Sequence, residues 1–320
     1  MLFIDAEQVH ALLDYGHLVD ALEEGHREGV EAMEDMLLEQ PSQSGKATHF
    51  LARAAWQRRR AFGIKLATVF PDNETHMTGL PTVQGTYVLF DGTNGKPVAC
   101  IDGTALTLWK TAADSALGAR FLARQDAEAM LMVGAGALAP HLITAHTTVR
   151  PSIRRVAIWN RTRSRAARLA AGLALEAVAV ADTADLEAAA RQADVISCAT
   201  MATAPLIKGD WLKPGAHLDL VGGYTPETRE ADDEAARRAR IFVNSRLTTI
   251  GCCGDIVGPM EAGVISETDI VADLFELCRG ERAGRESAEE VTFYKNGGGG
   301  HLDLMTARFV VTRAAEIEVA

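Results

Sequence analysis

The sequence predicts an α/β protein that contains a doubly wound parallel sheet of the Rossmann type. Two observations predict this fold. Short apolar segments alternate with helical segments from residue 129 onwards, and a glycine-rich turn follows the first apolar segment. Near-continuous apolar strands separated by helices indicate a parallel sheet that is covered on both faces.

The part of the chain before residue 129 has a different pattern. Residues 5–38 are predicted to be helical, because apolar side chains recur at helical spacing and Asp5 can cap the first turn. Residues 46–102 contain short apolar runs separated by turn dipeptides, which predict an antiparallel or mixed sheet. A helix rich in small residues is expected over residues 107–124.

The alternating part begins with the strand AMLMV (129–133). Further strands are expected at RVAIW (155–159), LEAVAV (175–180), DVISCAT (194–200), HLDLVGG (217–223) and ARIFVNS (239–245). Helical segments such as SRAARLAAGL fall between them, and a glycine run followed by a helix comes after residue 285.

Composition argues against several kinds of partner. The net charge of −11 disfavours nucleic acid, whose affinity for proteins is largely electrostatic. No run of about 18 apolar residues indicates a membrane span. The N-terminus lacks the basic segment of a signal peptide, and the 5 cysteines form no disulfide or metal-ligand pattern. We therefore expect a cytoplasmic protein without a bound metal.

The turn after the first parallel strand matches the dinucleotide pattern GxGxxG/A. Gly134 allows a tight turn, Gly136 lets the backbone approach a pyrophosphate, and Ala139 lets the next helix approach the sheet. Ala137 and Leu138 lie where that helix begins, and the free N–H groups of a helix N-terminus bind phosphate. The sequence therefore predicts a dinucleotide site.

The segment NRTRSR (160–165), after the second parallel strand, indicates the choice of cofactor. NAD enzymes usually have a carboxylate there for the ribose 2′-hydroxyl, whereas arginine and threonine can bind the 2′-phosphate of NADP. NADPH is therefore expected, and NADH is less favoured. The alternative is that Arg163 and Arg165 are surface residues of the next helix. The expected cofactor contacts are Asn160, Arg161, Thr162 and Arg165, with Thr200 and Met201 at the end of a later strand.

Segments along nearly the whole chain resemble the ornithine cyclodeaminase/μ-crystallin family. The matching stretches include GIKLATVFPDN, GLPTVQGTYVLFDGTNGKPVACIDGTALT, WKTAADSALGARFLAR, VGAGALAPH and FYKNGGGGHLDLMTA. The resemblance implies a homodimer whose Rossmann domain, residues 123–287, is inserted into an α+β domain for substrate binding and dimerisation. That second domain is discontinuous and comprises residues 1–122 plus 288–320.

The resemblance also assigns roles to individual residues. Lys65 lies inside an apolar strand, where a lysine either reaches an edge or is functional, and it is expected to bind the substrate carboxylate. Lys110 stands where the family has an arginine and is expected to contact the carboxylate or the cofactor, and Thr111 to contact the cofactor. Asp303 is matched with an aspartate near the cofactor and could hydrogen-bond an iminium nitrogen. Lys65 and Asp303 are the expected catalytic residues.

Four further residues are expected to line the substrate pocket: Gln43, Thr82, Tyr224 and His301. Gln43 replaces an arginine of the family pattern, so it can supply a hydrogen bond but no charge. Tyr224 stands where cyclodeaminases have an acid/base aspartate. His301 could relay a proton. The structural alternatives are an ordinary turn threonine at Thr82, a helix-capping carboxylate at Asp303 and a buried structural imidazole at His301.

These departures favour a reductase of cyclic imino acids. Cyclodeamination needs a group that handles protons during ammonia loss, and a tyrosine such as Tyr224 is poorly suited to this near neutral pH. The expected reaction is NADPH-dependent hydride transfer to C2 of Δ1-pyrroline-2-carboxylate or Δ1-piperideine-2-carboxylate, giving L-proline or L-pipecolate. The alternatives are an ornithine cyclodeaminase, an alanine-type dehydrogenase, and a non-catalytic NADPH-dependent binding protein like μ-crystallin.

Overall fold

A computed structural model describes residues 1–33, 35–42, 44–74 and 80–319. The chain forms two compact units. Unit 1 comprises Met1–Lys110 and Gly299–Ala320, and unit 2 comprises Thr111–Gly298. The fold is α/β, with a mixed sheet in unit 1 and a parallel sheet in unit 2, so the predicted fold class is confirmed.

Within the described residues the strands are β1 (Leu2–Ile4), β2 (Glu31–Ala32), β3 (Met36–Pro41), β4 (Ala47–Gln57), β5 (Ala61–Val69), β6 (Val83–Asp91), β7 (Pro97–Asp102), β8 (Ala129–Val133), β9 (Arg155–Trp159), β10 (Ala179–Asp182), β11 (Val195–Cys198), β12 (His217–Leu220), β13 (Ala239–Val243), β14 (Ile270–Asp273) and β15 (Val291–Lys295). The α-helices are α1 (Ala6–Leu12), α2 (Tyr15–Glu28), α3 (Gly103–Leu122), α4 (Leu138–Val149), α5 (Arg163–Gly172), α6 (Leu186–Gln192), α7 (Asp233–Arg238), α8 (Arg246–Thr249), α9 (Gly254–Glu261), α10 (Leu274–Cys278) and α11 (Gly300–Val319). None of the helices in this described part is long and apolar enough to cross a membrane.

Unit 1 is built on a sheet with the strand order β1-β7-β6-β5-β4-β2, and β3 also pairs with β4. Strands β4 to β7 are antiparallel neighbours, and β1 joins β7 in parallel. The predicted sheet over residues 46–102 is therefore confirmed. Helices α2 and α11 pack closely, since a Cβ at Gly25 would lie 2.7 Å from Met305 Cγ.

The helix predicted over residues 5–38 is wrong beyond Glu28. Helix α2 ends at Glu28 and is capped by Gly29, whose φ of 84° favours glycine, and strands β2 and β3 follow. Residues 36–41 pair with β4, so hydrogen bonding to a neighbouring strand outweighs the local helical spacing of the apolar side chains.

The sheet of unit 2 has the strand order β10-β9-β8-β11-β12-β15-β13-β14, and every pairing is parallel. All residues of β11, β12 and β15 are buried, as expected for strands covered on both faces. Strand β15 was not predicted as part of this sheet, although it lies between β12 and β13.

The boundaries of the two units differ from the expected ones. The first falls after residue 110 and the second after residue 298, against predictions of 122 and 287. Helix α3 runs through the first boundary without a break, and Ser115 on it donates a hydrogen bond to Asp219 of unit 2 at 2.8 Å. At the second, β15 belongs to the parallel sheet, and the chain leaves unit 2 only in the glycine run that follows.

Candidate active site

Unit 1 holds a buried group of two lysines and one carboxylate, drawn from three elements. Lys65 lies on β5, Lys110 on α3 and Asp303 in the first turn of α11. Lys110 Nζ is 3.0 Å from Asp303 Oδ1, and Lys65 Nζ is 3.4 Å from each oxygen of the same carboxylate. The structure therefore brings together the two residues predicted as catalytic and the second predicted carboxylate ligand.

Local geometry explains why these side chains meet. Residues of β5 alternate between buried and half-buried, and Lys65 shares the buried face with Gly63 and Ala67. At the start of α11, a Cβ on Gly300 would lie 2.9 Å from the Ala54 carbonyl oxygen, so the glycine lets the helix approach β4. This approach brings Asp303, one turn further along, towards the lysines.

Hydrogen bonds fix both ammonium groups. Lys65 Nζ donates to Thr107 Oγ1 at 3.2 Å, and that hydroxyl donates in turn to the Gly103 carbonyl at 2.6 Å. Lys110 Nζ donates to the Gly299 carbonyl at 3.3 Å. The lysines are thus oriented by the protein before any ligand is bound, which reduces the ordering cost of binding.

Burial and neighbouring charges set the protonation states of the group. Burial lowers the pKa of Lys110 to about 7, although Asp303 opposes the shift. Burial acts to raise the pKa of Asp303, but the charges of Lys110, Lys65 and Arg53 outweigh it and hold that pKa below its ordinary value. Asp303 is therefore an ionised hydrogen-bond acceptor at neutral pH.

The other residues predicted for the substrate pocket have varied environments. His301 is buried with its ring edge-on to His26, and burial lowers the pKa of His301 well below its ordinary value, so its imidazole is neutral. The Thr82 hydroxyl is buried and has no hydrogen-bond partner among the described residues. Tyr224 is exposed on the loop after β12 in unit 2. Gln43 lies outside the described residues. Their substrate contacts stay predictions.

The glycine turn of unit 2 has the geometry expected of a dinucleotide loop. Gly134 has a φ of 114°, and a Cβ there would lie 2.5 Å from the Ala199 carbonyl oxygen. Its N–H donates to the Trp159 carbonyl at 2.8 Å, which ties the ends of β8 and β9 together. At Gly136 an added Cβ would meet no atom of the described residues within 4 Å, so the backbone is open to a ligand.

The helix that follows suits an anion at its N-terminus. Helix α4 begins at Leu138, and its N-cap residue Ala137 makes no side-chain capping hydrogen bond. The Ala139 N–H donates to the Gly136 carbonyl at 3.1 Å and Pro140 has no N–H, so the amides of Ala137 and Leu138, with the helix dipole, are what this N-terminus offers to an anion. Ala139 is buried against the sheet, as its place in the motif predicts. These residues fit the pyrophosphate of a dinucleotide.

The loop after β9 presents cations. Asn160 donates through its side-chain amide to the Thr162 carbonyl at 2.9 Å, and Thr162 caps α5 without a side-chain hydrogen bond to its amides. Arg161 and Arg165 are exposed. Arg163 instead pairs with Asp182 at the end of β10 at 2.9 Å, as a surface residue of the next helix would. The loop fits a 2′-phosphate, although contact with a cofactor stays a prediction.

A buried carboxylate that sequence reasoning missed orders two further loops of unit 2. Glu230 Oε1 accepts from the Thr200 amide at 2.6 Å and hydroxyl at 2.8 Å, and Oε2 accepts from the Gly222 amide at 2.7 Å. The Thr200 hydroxyl is thus engaged in a hydrogen bond within the protein, and the adjacent Met201 is exposed. In the sequence Glu230 looks like one of several surface acids before α7, so no local signal marks it.

Two further polar residues of unit 2 are Thr111, a predicted cofactor contact, and Lys295, a buried lysine that was not predicted. The Thr111 carbonyl accepts from the Asn296 side-chain amide at 3.0 Å, and the contact of Thr111 with a cofactor stays a prediction. Lys295, at the end of β15, is fully buried and 3.1 Å from Asp255 Oδ2. A lysine inside an apolar strand marked Lys65, and the same signal could have marked Lys295.

A parallel Rossmann-type sheet with an open glycine turn, joined in one chain to a buried lysine–carboxylate group, defines a dinucleotide-binding oxidoreductase. The chain belongs to the ornithine cyclodeaminase/mu-crystallin family, which its residues 2–318 match. The predicted family is therefore confirmed.

Relatives and solved structures agree with this assignment. The chain is 42% identical over 298 residues to the Δ1-pyrroline-2-carboxylate reductase of Paracoccus denitrificans (strain Pd 1222), covering 93% of this chain and 92% of the relative. The Δ1-pyrroline-2-carboxylate reductase of Thermococcus litoralis, solved with NADH and L-proline, superposes with a TM-score of 0.91 at 26% identity, over 99% of this chain and 98% of the other. An archaeal alanine dehydrogenase dimer with bound NAD gives 0.90 at 26% identity, over 100% and 98%.

Proposed function

We propose that this protein is an NADPH-dependent reductase of cyclic imino acids, converting Δ1-pyrroline-2-carboxylate, Δ1-piperideine-2-carboxylate or both to L-proline and L-pipecolate. The observation that carries the proposal is the oriented pair Lys65 and Lys110 around the buried carboxylate Asp303. Two cations suit a substrate carboxylate, and one ionised acceptor suits a protonated imine. The Paracoccus denitrificans and Thermococcus litoralis relatives, both Δ1-pyrroline-2-carboxylate reductases, support this substrate class.

In unit 1, the two lysines bind the substrate and Asp303 stabilises its positive charge. Lys65 and Lys110 bind the substrate carboxylate and so fix the ring plane. Asp303 accepts a hydrogen bond from the iminium N–H and stabilises its positive charge, which keeps C2 electrophilic. Bound NADPH supplies the hydride, and the protonated imine then becomes a secondary amine without any further proton. The protein has to orient the ring and exclude water rather than supply an acid.

The preference for NADPH rests on the loop after β9. It has no carboxylate for a ribose 2′-hydroxyl, and Arg161, Thr162 and Arg165 can bind a 2′-phosphate through charge-assisted hydrogen bonds. The solved relatives carry NADH and NAD, which support a nicotinamide cofactor in general. The choice between the two cofactors is therefore open to a direct measurement on this chain.

A substrate panel tests the proposal. Both cyclic imino acids, ornithine and alanine would each be supplied with NADPH or NADH, and absorbance of the reduced cofactor followed. We expect oxidation of NADPH with at least one imino acid, and a kcat/KM at least about tenfold higher than with NADH, the equivalent of 1.4 kcal/mol. Lys65→Met should lose about 100-fold in kcat/KM, as expected when a charged hydrogen bond of about 2–3 kcal/mol is removed.

Three outcomes would contradict parts of the proposal. Absence of NADPH oxidation with both imino acids refutes the reaction. Equal efficiency with NADH refutes the role of Arg161 and Arg165. A Lys65→Met variant with wild-type kcat/KM would refute the proposed role of Lys65 in substrate binding. The matched control is Lys96→Met, which replaces an exposed lysine before β7.

We further propose that the protein is a cytoplasmic homodimer, with unit 1 as the substrate-binding and dimerisation domain. The archaeal relative whose structure is that of a dimer supports the oligomeric state. Cys100, Cys198, Cys252 and Cys253 are free thiols, which suits a reducing compartment.

A further inference from the structure

A row of three large side chains crosses the sheet of unit 1 at the level of the buried carboxylate. Strand pairing sets Arg53 of β4 opposite Lys65 of β5, and Lys65 opposite Tyr87 of β6. Residues directly opposite one another on antiparallel strands have Cβ atoms about 5 Å apart and point to the same face. Arg53 therefore leaves the sheet on the face where Lys65 meets Asp303.

Arg53 lies beside the start of α11. A Cβ added to Gly300 would be 3.1 Å from Arg53 Cγ, so the arginine stem passes directly along the first residue of that helix. The side chain is 24% exposed, against 75% for Arg58 in the turn that follows β4. Its stem is thus packed in the protein while part of the guanidinium reaches solvent, as a residue at the mouth of a site would.

A carboxylate already holds the guanidinium from one side. Arg53 Nε lies 2.9 Å from both oxygens of Asp35, and Nη2 of the same group also donates to it. These contacts fix the plane of a group that has five N–H donors in a rigid fork. Asp35 therefore engages the Nε–Nη2 edge of the guanidinium and fixes the orientation of its Nη1–Nη2 edge, which is the fork considered below.

The charge of Arg53 reaches the lysine–carboxylate group. Together with Lys110 and Lys65 it holds the pKa of Asp303 below its ordinary value, against burial, which acts to raise it. It also adds to the effect of burial in lowering the pKa of Lys110. Three cations and two carboxylates, Asp303 and Asp35, thus form one group, and with both lysines protonated its net charge is +1, which suits an anionic ligand.

We propose that Arg53 is a further substrate-binding residue, which supplies the guanidinium fork for the substrate carboxylate and sets the selectivity for imines that carry one. Lys65 and Lys110 are point charges that attract a carboxylate without defining its plane, and Gln43 brings no charge. A planar fork aligned by Asp35 fixes the plane of the carboxylate, and with it the plane of the conjugated imine. This inference rests on the proposed function for the identity of the substrate.

The experiment compares Arg53→Gln and Arg53→Lys with the wild type and with Arg58→Gln as matched control. Arg58 is close in sequence and pairs with Glu31 at 2.8 Å, but it is largely exposed. KM and kcat would be measured for Δ1-pyrroline-2-carboxylate, for Δ1-pyrroline, which lacks the carboxylate, and for NADPH. Melting temperatures would show whether each variant is folded.

We expect Arg53→Gln to raise KM for Δ1-pyrroline-2-carboxylate about 10- to 100-fold, the loss expected for charge-assisted hydrogen bonds. Its KM for NADPH and its kcat/KM for Δ1-pyrroline should stay within about twofold of wild type. Arg53→Lys, which keeps the charge and loses the fork, should fall between the two. Arg58→Gln should match the wild type throughout.

Two results would overturn the assignment. One is a KM for the carboxylate substrate that stays within twofold in Arg53→Gln. The other is an equal loss with both imines and with NADPH, since a purely structural role would act on all three. If the wild type reduces no imino acid, the proposed function fails on its own, and titration of the NADPH-loaded protein with pyrrole-2-carboxylate decides the role of Arg53. Equal affinity of wild type and Arg53→Gln, or no binding by either, then refutes it.

Discussion

The charge of Lys110 changes within the physiological pH range, because burial lowers the pKa of its ammonium to about 7. Below that pH the side chain can attract a carboxylate, and above it a growing fraction is neutral. The same shift affects stability. The pKa of Lys110 in the folded protein lies below the unfolded value of 10.5, so its contribution is fully present above pH 10.5 and is lost as pH falls through 7.

Substrate binding should therefore weaken as pH rises. We expect the KM for the imino acid to increase above about pH 7, by up to about tenfold per pH unit. In Lys110→Arg this increase should be absent, because arginine stays charged over the whole range. Steady-state kinetics of both proteins from pH 6 to 9 would show this as a difference between the two KM profiles. Titration of the imine affects both profiles equally, so it does not contribute to that difference. Parallel profiles would contradict it.

Single residues were predictable where they break a local pattern. Lys65 stands out as a lysine in an apolar strand, and the glycine run marks the approach of α11 and hence Asp303. Arg53 also interrupts an apolar run, but the sequence does not show that it lies beside Lys65, because that requires the register of β4 and β5. Glu230 was equally hidden, since a surface acid and a buried one look alike in a sequence.

Among the elements, the glycine turn between β8 and α4 shows two different uses of the same residue type. Gly134 is required by the fold itself, because it has a positive φ and a Cβ would collide with Ala199. Gly136 has open space around it, so the fold alone does not require glycine there. The requirement at Gly136 is expected to come from the cofactor.

Gly136→Ala should separate binding from stability. We expect its melting temperature to stay close to wild type and its KM for NADPH to rise about tenfold or more, because the methyl group occupies the path of the pyrophosphate. The KM for the imino acid should not change. Gly172→Ala, at the end of α5 and also without close neighbours among the described residues, is the matched control. Unchanged NADPH kinetics in Gly136→Ala would place the pyrophosphate elsewhere.

Elements were predictable in proportion to how locally they are determined. The buried strands β8, β11 and β12 follow from their own apolar runs and the helices between them, whereas β10 is partly exposed and begins at Ala179, four residues after the predicted start. Strand β3 was predicted as helix because its spacing is compatible with both structures, and pairing with β4 decides between them. Strand β15 was overlooked because its partners β12 and β13 lie far away in sequence.

On the scale of the whole molecule, β3 carries three large apolar side chains that water contacts. Met36, Leu37 and Leu38 are 51%, 57% and 58% exposed, on a strand that pairs only with β4 among the described strands. An exposed apolar strand at the margin of a sheet is a hazard for a monomer unless another chain covers it. The arrangement suits the proposed homodimer.

Leu37→Glu combined with Met36→Glu should therefore shift the protein from dimer towards monomer, since burying two carboxylates at an interface is costly. Light scattering after size exclusion would follow the change from twice 34.3 kDa to 34.3 kDa. Leu247→Glu, an exposed leucine of unit 2, is the control and should leave the mass unchanged. A dimer that survives the double substitution would show that β3 is not the interface.

The position of β15 has a consequence for the growing chain. Because this strand lies between β12 and β13 yet begins only at Val291, the ribosome has made nine tenths of the protein before the sheet of unit 2 can close. Until then β12 and β13 each present an unpaired backbone edge and a buried face without its cover. The nascent chain is therefore partly folded and prone to aggregation until β15 has been synthesised. We expect molecular chaperones that shield unpaired strand edges to affect the yield of the protein in cells more than the stability of the folded enzyme does.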